Sequence, residues 1–418
     1  MKKVLIVVAG VVVLVAAGLV SYGLYRKHQG HDVRGSSSIE FVTTRQKPPP
    51  PPKPKLVWPM YRYDASRLAA PHFVPARIRP PYTINWYYGA GSLVEFPPAV
   101  AYGRLFFGNA EGTLFGLDAT VHRGANWQVR RHRCTAATPA VAGHTVFMSF
   151  LNRPPCNATR SGLNGEVLAV NADTGKIRWR VGMGPTESSP LVVGKLVYVG
   201  DWRGKVYALS TLTGRTVWSY QTGGAVKDGM AYAGGRVYFG SYDSHVYSLN
   251  ARTGKLLWRA SAQQRLGATG TFYSTPAVAY DRVYIGGTDG KVYSFGATSG
   301  KLRWSHGTGS YVYASPAVWN RRVYAGSYDG TIYCWDAATG DVRWKFKTNG
   351  SISGSAVVIN GVVYFATFHG WTYALDARTG KPLWHFRRGK YAGVVTDGKW
   401  LYLVGYARIY AMQPRGGR

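Results

Sequence analysis

Three acids stand where a ligand could be met. Glu95, Glu187 and Asp228 each precede a short apolar segment by a few residues. Calcium takes about six to eight oxygens, usually several of them from carboxylates. Three acids on three separate segments supply few of these, so solvation at the surface is the plainer expectation. Other aspartates fall in turns (Asp289, Asp329) or just before a glycine turn (Asp336, Asp376). The 10 histidines include no HExxH pair: His28 and His31 lie near the N-terminus, and His122 and His132 lie in a basic stretch. Neither metal chemistry nor a haem attached through CxxCH is expected.

The cysteines number only 3, with no adjacent pair, too few for a disulfide-dense scaffold. Cys134 and Cys156 bracket the most irregular part of the chain, and Cys334 stands in a strand-like segment. In an oxidising compartment a Cys134–Cys156 disulfide would pin that irregular part. Two unrelated thiols are the alternative. The same stretch, 122–160, holds Arg123, Arg130, Arg131, Arg133, Arg153 and Arg160 without an acid. Arginine grips phosphate or carboxylate bidentately, so Arg130, Arg131 and Arg133 are candidate anion-binding residues. A solvated loop on a basic protein is the other reading.

The elements that must position these residues repeat. Tryptophans fall at 86, 127, 179, 218, 258, 304, 344 and 384, most about 40 residues apart. Glycine (52 residues), tyrosine (30) and a charged fraction of only 17% exclude both disorder and a helical protein. A period near 40 with this composition predicts propeller blades of four strands. The unit from Ala314 is typical: ASPAV, RRVYAGS, DGTIYCWDAATG, DVRWKF. Asp329-Gly330 marks a hairpin, and glycine also ends the ATG turn. Eight innermost strands can be counted, at 97, 137, 188, 228, 274, 314, 354 and 392. The last unit lacks an outer tryptophan strand, while TINWYY (83–88) has no blade of its own. That strand should complete the eighth blade and close the ring.

Before the ring, Val4 to Tyr25 is 22 uncharged residues after Lys2 and Lys3. About 20 helical residues cross a bilayer, so an uncleaved single-pass anchor is expected, with a cleaved signal as the alternative. Arg26 and Lys27 nearly balance the flanking charge. The propeller is placed outside the cytoplasm because the segment is N-terminal and signal-like. The expected layout is flank 1–3, transmembrane anchor 4–25, Pro-rich linker 26–57 carrying KPPPPPKPK, lead-in 58–82, and an all-β eight-bladed propeller over 83–413. The chain carries 51 Lys+Arg against 19 Asp+Glu, a net charge of +32, which implies an anionic environment or partner.

The phrase A-x-T-G-K-x-x-W after V-Y-A-L-D, as in ALDARTGKPLW (374–384), resembles the pyrroloquinoline-quinone-type (PQQ-like) propeller family. The lead-in WPMYRYDASRLA (58–69) is similar to the segment these propellers carry before the ring. The resemblance implies that Trp179, Trp218, Trp258, Trp304, Trp344 and Trp384 dock neighbouring blades; Trp86 and Trp127 follow by position. It also implies two classes of function. One is a non-catalytic scaffold of the outer-membrane β-barrel assembly type. The other is a PQQ-dependent dehydrogenase holding quinone and calcium in the central funnel. Without an adjacent cysteine pair, and with few acids, the first is expected: a monomeric, membrane-anchored module with no cofactor. Its expected partners are proteins or anionic envelope polymers, with no specific nucleic acid.

Overall fold

The computed structural model describes residues 14–22, 24, 58–71, 74–120, 124–156, 163–265 and 268–415. The chain divides into two units, Met1–Pro54 and Lys55–Arg418. In the first, residues 14–22 and 24 are helical. The remainder of the expected anchor and the Pro-rich linker lie outside the described residues. Among the described residues no helix is long and apolar enough to cross a membrane.

The second unit is built from eight four-stranded antiparallel sheets. Their innermost strands are short: Ala99–Ala101, Ala140–Ala142, Leu191–Val193, Ala231–Ala233, Ala277–Ala279, Ala317–Trp319, Val357–Ile359 and Val395–Thr396. Blade six is representative. Ala317–Trp319 is followed by Arg322–Gly326, Thr331–Asp336 and Val342–Lys347. The middle strands are buried on both faces by neighbouring blades, so their residues are apolar nearly throughout. Only the outermost strand alternates sharply with solvent. Two irregular repeat lengths have local causes. A loop between Thr145–Phe150 and Gly165–Asn171 lengthens blade two, and a small hairpin, Gln264–Arg265 with Ala268–Thr269, precedes blade five.

The ring closes between chain ends. Tyr82–Gly89 forms the outer strand of blade eight and pairs antiparallel with Arg408–Pro414, in register from Tyr82 opposite Pro414 to Gly89 opposite Arg408.

Each repeat tryptophan sits at a β-bulge opposite a small residue of its own blade. Trp127 faces Gly116, Trp179 Ala169, Trp258 Ser248 and Trp344 Cys334. The small partner leaves room for the indole to lie across the sheet: a β-carbon on Gly116 would stand 2.3 Å from the Trp127 ring. The indole then reaches the next blade. Trp127 donates to Ala172 O at 3.0 Å, Trp179 to Thr211 O at 2.9 Å and Trp218 to Ala251 O at 2.9 Å. Trp258, Trp304 and Trp344 donate likewise to Ala297, Ala337 and Ala377. Rings of this size bury about 150–250 Å² each. Trp86 packs against Tyr402, with ring centroids 6.0 Å apart. Blade eight joins opposite chain ends and has no ATG turn to receive Trp384. Tyr82 stands in its place, edge-on to Trp384 at 5.3 Å, with its hydroxyl 2.8 Å from that of Tyr364.

The lead-in segment occupies the hub. Trp58 forms an antiparallel bridge with Val100 of blade one. The carbonyls of Pro59, Ala65, Ser66, Leu68 and Ala69 accept the N–H groups of Val141, Tyr232, Val278, Val318 and Val358. These donors are the middle residues of innermost strands in blades two, four, five, six and seven. Backbone groups at the inner edges of a propeller would otherwise lack partners; here one segment satisfies six blades in turn. Arg67 is fully buried there, and burial pulls its guanidinium down to about 10.

Candidate functional site

Each innermost strand is approached by a loop that turns in toward the axis, often through a Ser/Thr-Pro step. The hydroxyls of that step link blade to blade. Thr138 N–H donates to Ser189 Oγ at 3.1 Å, Thr275 N–H to Ser315 Oγ at 3.0 Å and Ser315 N–H to Ser355 Oγ at 2.9 Å. Blade four has Gly229 at this step, and the preceding Asp228 supplies the acceptors. Its carboxylate takes the N–H of Gly229 at 2.7 Å and that of Thr275 at 2.8 Å.

Two residues before that hydroxyl ring lies a second ring of positions, one per blade, that opens into an axial funnel. Blades five, six and eight place Tyr273, Tyr313 and Tyr391 there. The hairpins between second and third strands add Tyr242, Tyr328 and Phe368. These rings form an unbroken edge-to-face or tilted chain. Centroid separations are 6.3 Å for Tyr242–Tyr273, 5.0 Å for Tyr273–Tyr313, 4.9 Å for Tyr313–Tyr328, 5.3 Å for Tyr328–Phe368 and 5.3 Å for Phe368–Tyr391. The enclosed cavity is about 260 Å³. Tyr61 of the lead-in segment forms its base, its hydroxyl 2.8 Å from Ser355 Oγ.

The acids do not behave as surface groups, which corrects the sequence expectation. Asp228 and Glu187 are buried, and Glu95 is half-buried on the funnel wall with Asp228. The loops that carry them turn inward rather than outward, and protein donors replace water. Glu187 accepts the Trp202 indole N–H at 3.0 Å. Burial pushes the Asp228 carboxyl up. Glu187 foremost, then burial, Glu95 and Asp228, hold the ionisation of the half-buried Tyr273 well above its ordinary range.

The basic stretch of blade two is arranged differently. Cys134 and Cys156 are joined by a disulfide, and Cys334 is a buried thiol pushed up to about 12 by its burial. Arg131 forms a bidentate pair with Glu166 at 2.6 and 3.1 Å, and Arg133 reaches the same carboxylate at 3.5 Å. An acid from the third strand of blade two thus occupies two of the three candidate anion-binding arginines. Arg130 remains exposed.

The family model described as Outer membrane protein assembly factor BamB matches residues 163–367 and 308–418, more than half of the sequence. The chain belongs to this family. No curated protein matches it in sequence. Among solved structures, BamB from Moraxella catarrhalis is similar over 80% of this chain and 100% of its own, with a TM-score of 0.66 and 18% identity. A europium-containing methanol dehydrogenase is similar over 86% and 98%, with a TM-score of 0.72 and 14% identity. Quinohemoprotein alcohol dehydrogenase from Comamonas testosteroni is similar over 87% and 81%, with a TM-score of 0.71 and 14% identity. At these identities the likeness is one of fold, and a propeller fold hosts both scaffolds and enzymes.

Within this BamB-type family of PQQ-like propellers, the test of a quinone–calcium centre is the donor set at the axis. Both Asp228 oxygens already accept main-chain N–H groups, and Glu187 holds an indole. Among the described residues no three His, Cys, Asp or Glu side chains converge as a metal site. The funnel wall is phenolic rather than amide-rich. These residues do not fit the cofactor.

The funnel rings were not singled out in the sequence because Tyr273 and Tyr313 fall just before the innermost strands counted from 274 and 314. A usable signal exists: they occupy the same repeat position as Glu95 and Glu187, four residues before each innermost strand begins.

Proposed function

We propose that this chain is a non-catalytic scaffold: a membrane-anchored, extracytoplasmic propeller that docks protein partners of an envelope assembly machinery. The carrying observation is the axial donor set. Of the acids at the axis, Asp228 bonds blade four to blade five and Glu187 holds the Trp202 indole, so the ring is read as presenting faces rather than a reaction centre. Membership in a family described as an outer membrane protein assembly factor supports the same reading. Anionic envelope polymers are a second class of ligand, drawn by a net charge of +32. With Arg131 and Arg133 paired to Glu166, that attraction is spread over the surface rather than centred on blade two. Residues 4–25 are the anchor, and the ring works as a monomer without cofactor.

The test uses the full chain. Titration with PQQ and calcium should produce no new visible band and no alcohol-dependent dye reduction. Crosslinking in intact envelopes should join the propeller to components of the β-barrel assembly machinery. A quinone-dependent band with dye reduction would overturn the reading.

A further inference from the structure

The axial funnel has a composition unlike the rest of this basic chain. Among the described residues, the ionisable acid or base side chains on its wall besides tyrosines are Glu95 and Asp228, and no lysine or arginine lines it. The rest is aromatic rings, serines and small residues. An aromatic face carries negative potential, and rings arranged as a cage attract a desolvated cation.

Two of the chain's own lysines show that the outer rings accept cations. The Lys227 ammonium lies 3.7 Å from the Trp202 ring centroid and 4.0 Å from that of Tyr242. Lys390 lies 4.9 Å from Tyr391. Below the base, Arg62 and Arg67 are buried, with donors directed to main-chain carbonyls of Pro316, Met230 and Pro190. They offset part of the Asp228 charge from behind Tyr61, and Glu95 is the other carboxylate on the wall.

We infer that the funnel binds an organic cation, a quaternary-ammonium or guanidinium head group, seated among Tyr273, Tyr313 and Tyr328 with Glu95 beside it. Size limits the ligand. Pockets for whole drug-sized molecules run from about 300 to 1,000 Å³, and a cavity of about 260 Å³ suits a head group or side-chain tip. Among the described residues no three His, Cys, Asp or Glu side chains converge to hold a small inorganic cation. The cation can arrive as a free small molecule or as the tip of a partner's basic side chain. The site does not depend on the scaffold reading, since free-cation binding needs no docking at the outer faces.

Calorimetric titration of the full chain, at matched ionic strength, distinguishes these. Choline is compared with its neutral isostere 3,3-dimethylbutan-1-ol and with a blocked Gly-Arg-Gly peptide. Choline or the peptide should bind about tenfold or more tightly than the isostere, as a desolvated cation–π site requires. A tighter peptide assigns the cation to a partner side chain; tighter choline assigns it to a free molecule. Tyr313→Leu and Glu95→Gln should each weaken the preferred cation several-fold, while isostere binding changes little after Glu95→Gln. If Tyr313→Leu does not fold, the half-buried Glu95→Gln variant carries the test. Equal binding of cation and isostere, or unchanged cation binding in Glu95→Gln, overturns the inference.

Discussion

Tyr284 and Trp304 donate to one acceptor, the Ala337 carbonyl of the following blade, each at 3.0 Å. The same sharing recurs at Ala251, Ala297 and Ala377. At the Ala172 carbonyl the tyrosine is replaced by Phe106, and among the described side chains Trp127 alone donates. The blade seams are therefore unequal. Trp304→Phe leaves Ala337 with a second donor, whereas Trp127→Phe leaves a buried carbonyl without one. An unsatisfied buried acceptor costs about 1–3 kcal/mol. Urea unfolding should show Trp127→Phe to be the more damaging by about 1 kcal/mol or more.

The closing seam makes a second prediction. Deleting residues 81–89 removes the strand paired with Arg408–Pro414 and also removes Tyr82, which stands in for a missing turn. One sheet edge opens, that of Arg408–Pro414, and one seam loses its filler. The melting temperature of the truncated chain should fall by many degrees. Tyr82→Phe, which removes only the bond to Tyr364, should cost about 1 kcal/mol. An unchanged melt for the deletion would refute the closure's role.

Arg67 yields a third. Its guanidinium donates to Met230 O at 2.7 Å and Pro190 O at 3.2 Å, and to the Tyr61 carbonyl. Charged hydrogen bonds contribute about 1.5–3 kcal/mol each. Arg67→Met should destabilise by more than about 3 kcal/mol. Arg67→Lys should recover little, because an ammonium cannot reproduce the planar fork. Denaturant midpoints for the two variants check this. Hydrogen exchange at Val278, Val318 and Val358, whose amides the lead-in caps, should accelerate in both.

The acid limb of stability gives a fourth. Arg343, 2.7 Å from Asp336, holds that carboxyl down to about 2. A folded-state value below the unfolded one means stability that is present above about pH 4. It is lost as pH falls toward 2. Arg343→Ala should flatten this limb in unfolding curves measured across that range. The loss should be small because the pair is solvent-screened, present in full at neutral pH, and absent toward pH 2.

Blade number, closure and the tryptophan seams were legible in the sequence because each rests on a local residue type at a fixed period. Gly340, with φ of 80°, must be glycine both for its turn and because a β-carbon would stand 2.8 Å from the Trp304 ring. Such constraints print themselves as a repeat. The funnel was not legible, because its parts come from different blades and meet only through ring geometry. Tyr273, Tyr313 and Tyr328 are ordinary loop and turn residues until the axis brings them together. Asp228 was misread for the same reason: its partner Thr275 lies 47 residues away. Glu166, likewise, stands outside the arginine-rich stretch it neutralises.

The hub segment and the closing strand together span residues 58–89, yet their partners run from Val100 to Pro414. The first-made part of the propeller is the part whose pairing is completed last. Until the eighth blade exists, Tyr82–Gly89 is a strand with nothing to pair with, and Trp58 to Ala69 has only a partial hub to fill. Contacts this distant in sequence slow folding and leave strand edges open to other chains meanwhile. A protein built this way needs protection during its own synthesis, and its assembly should be slower than the stability of any one blade would suggest.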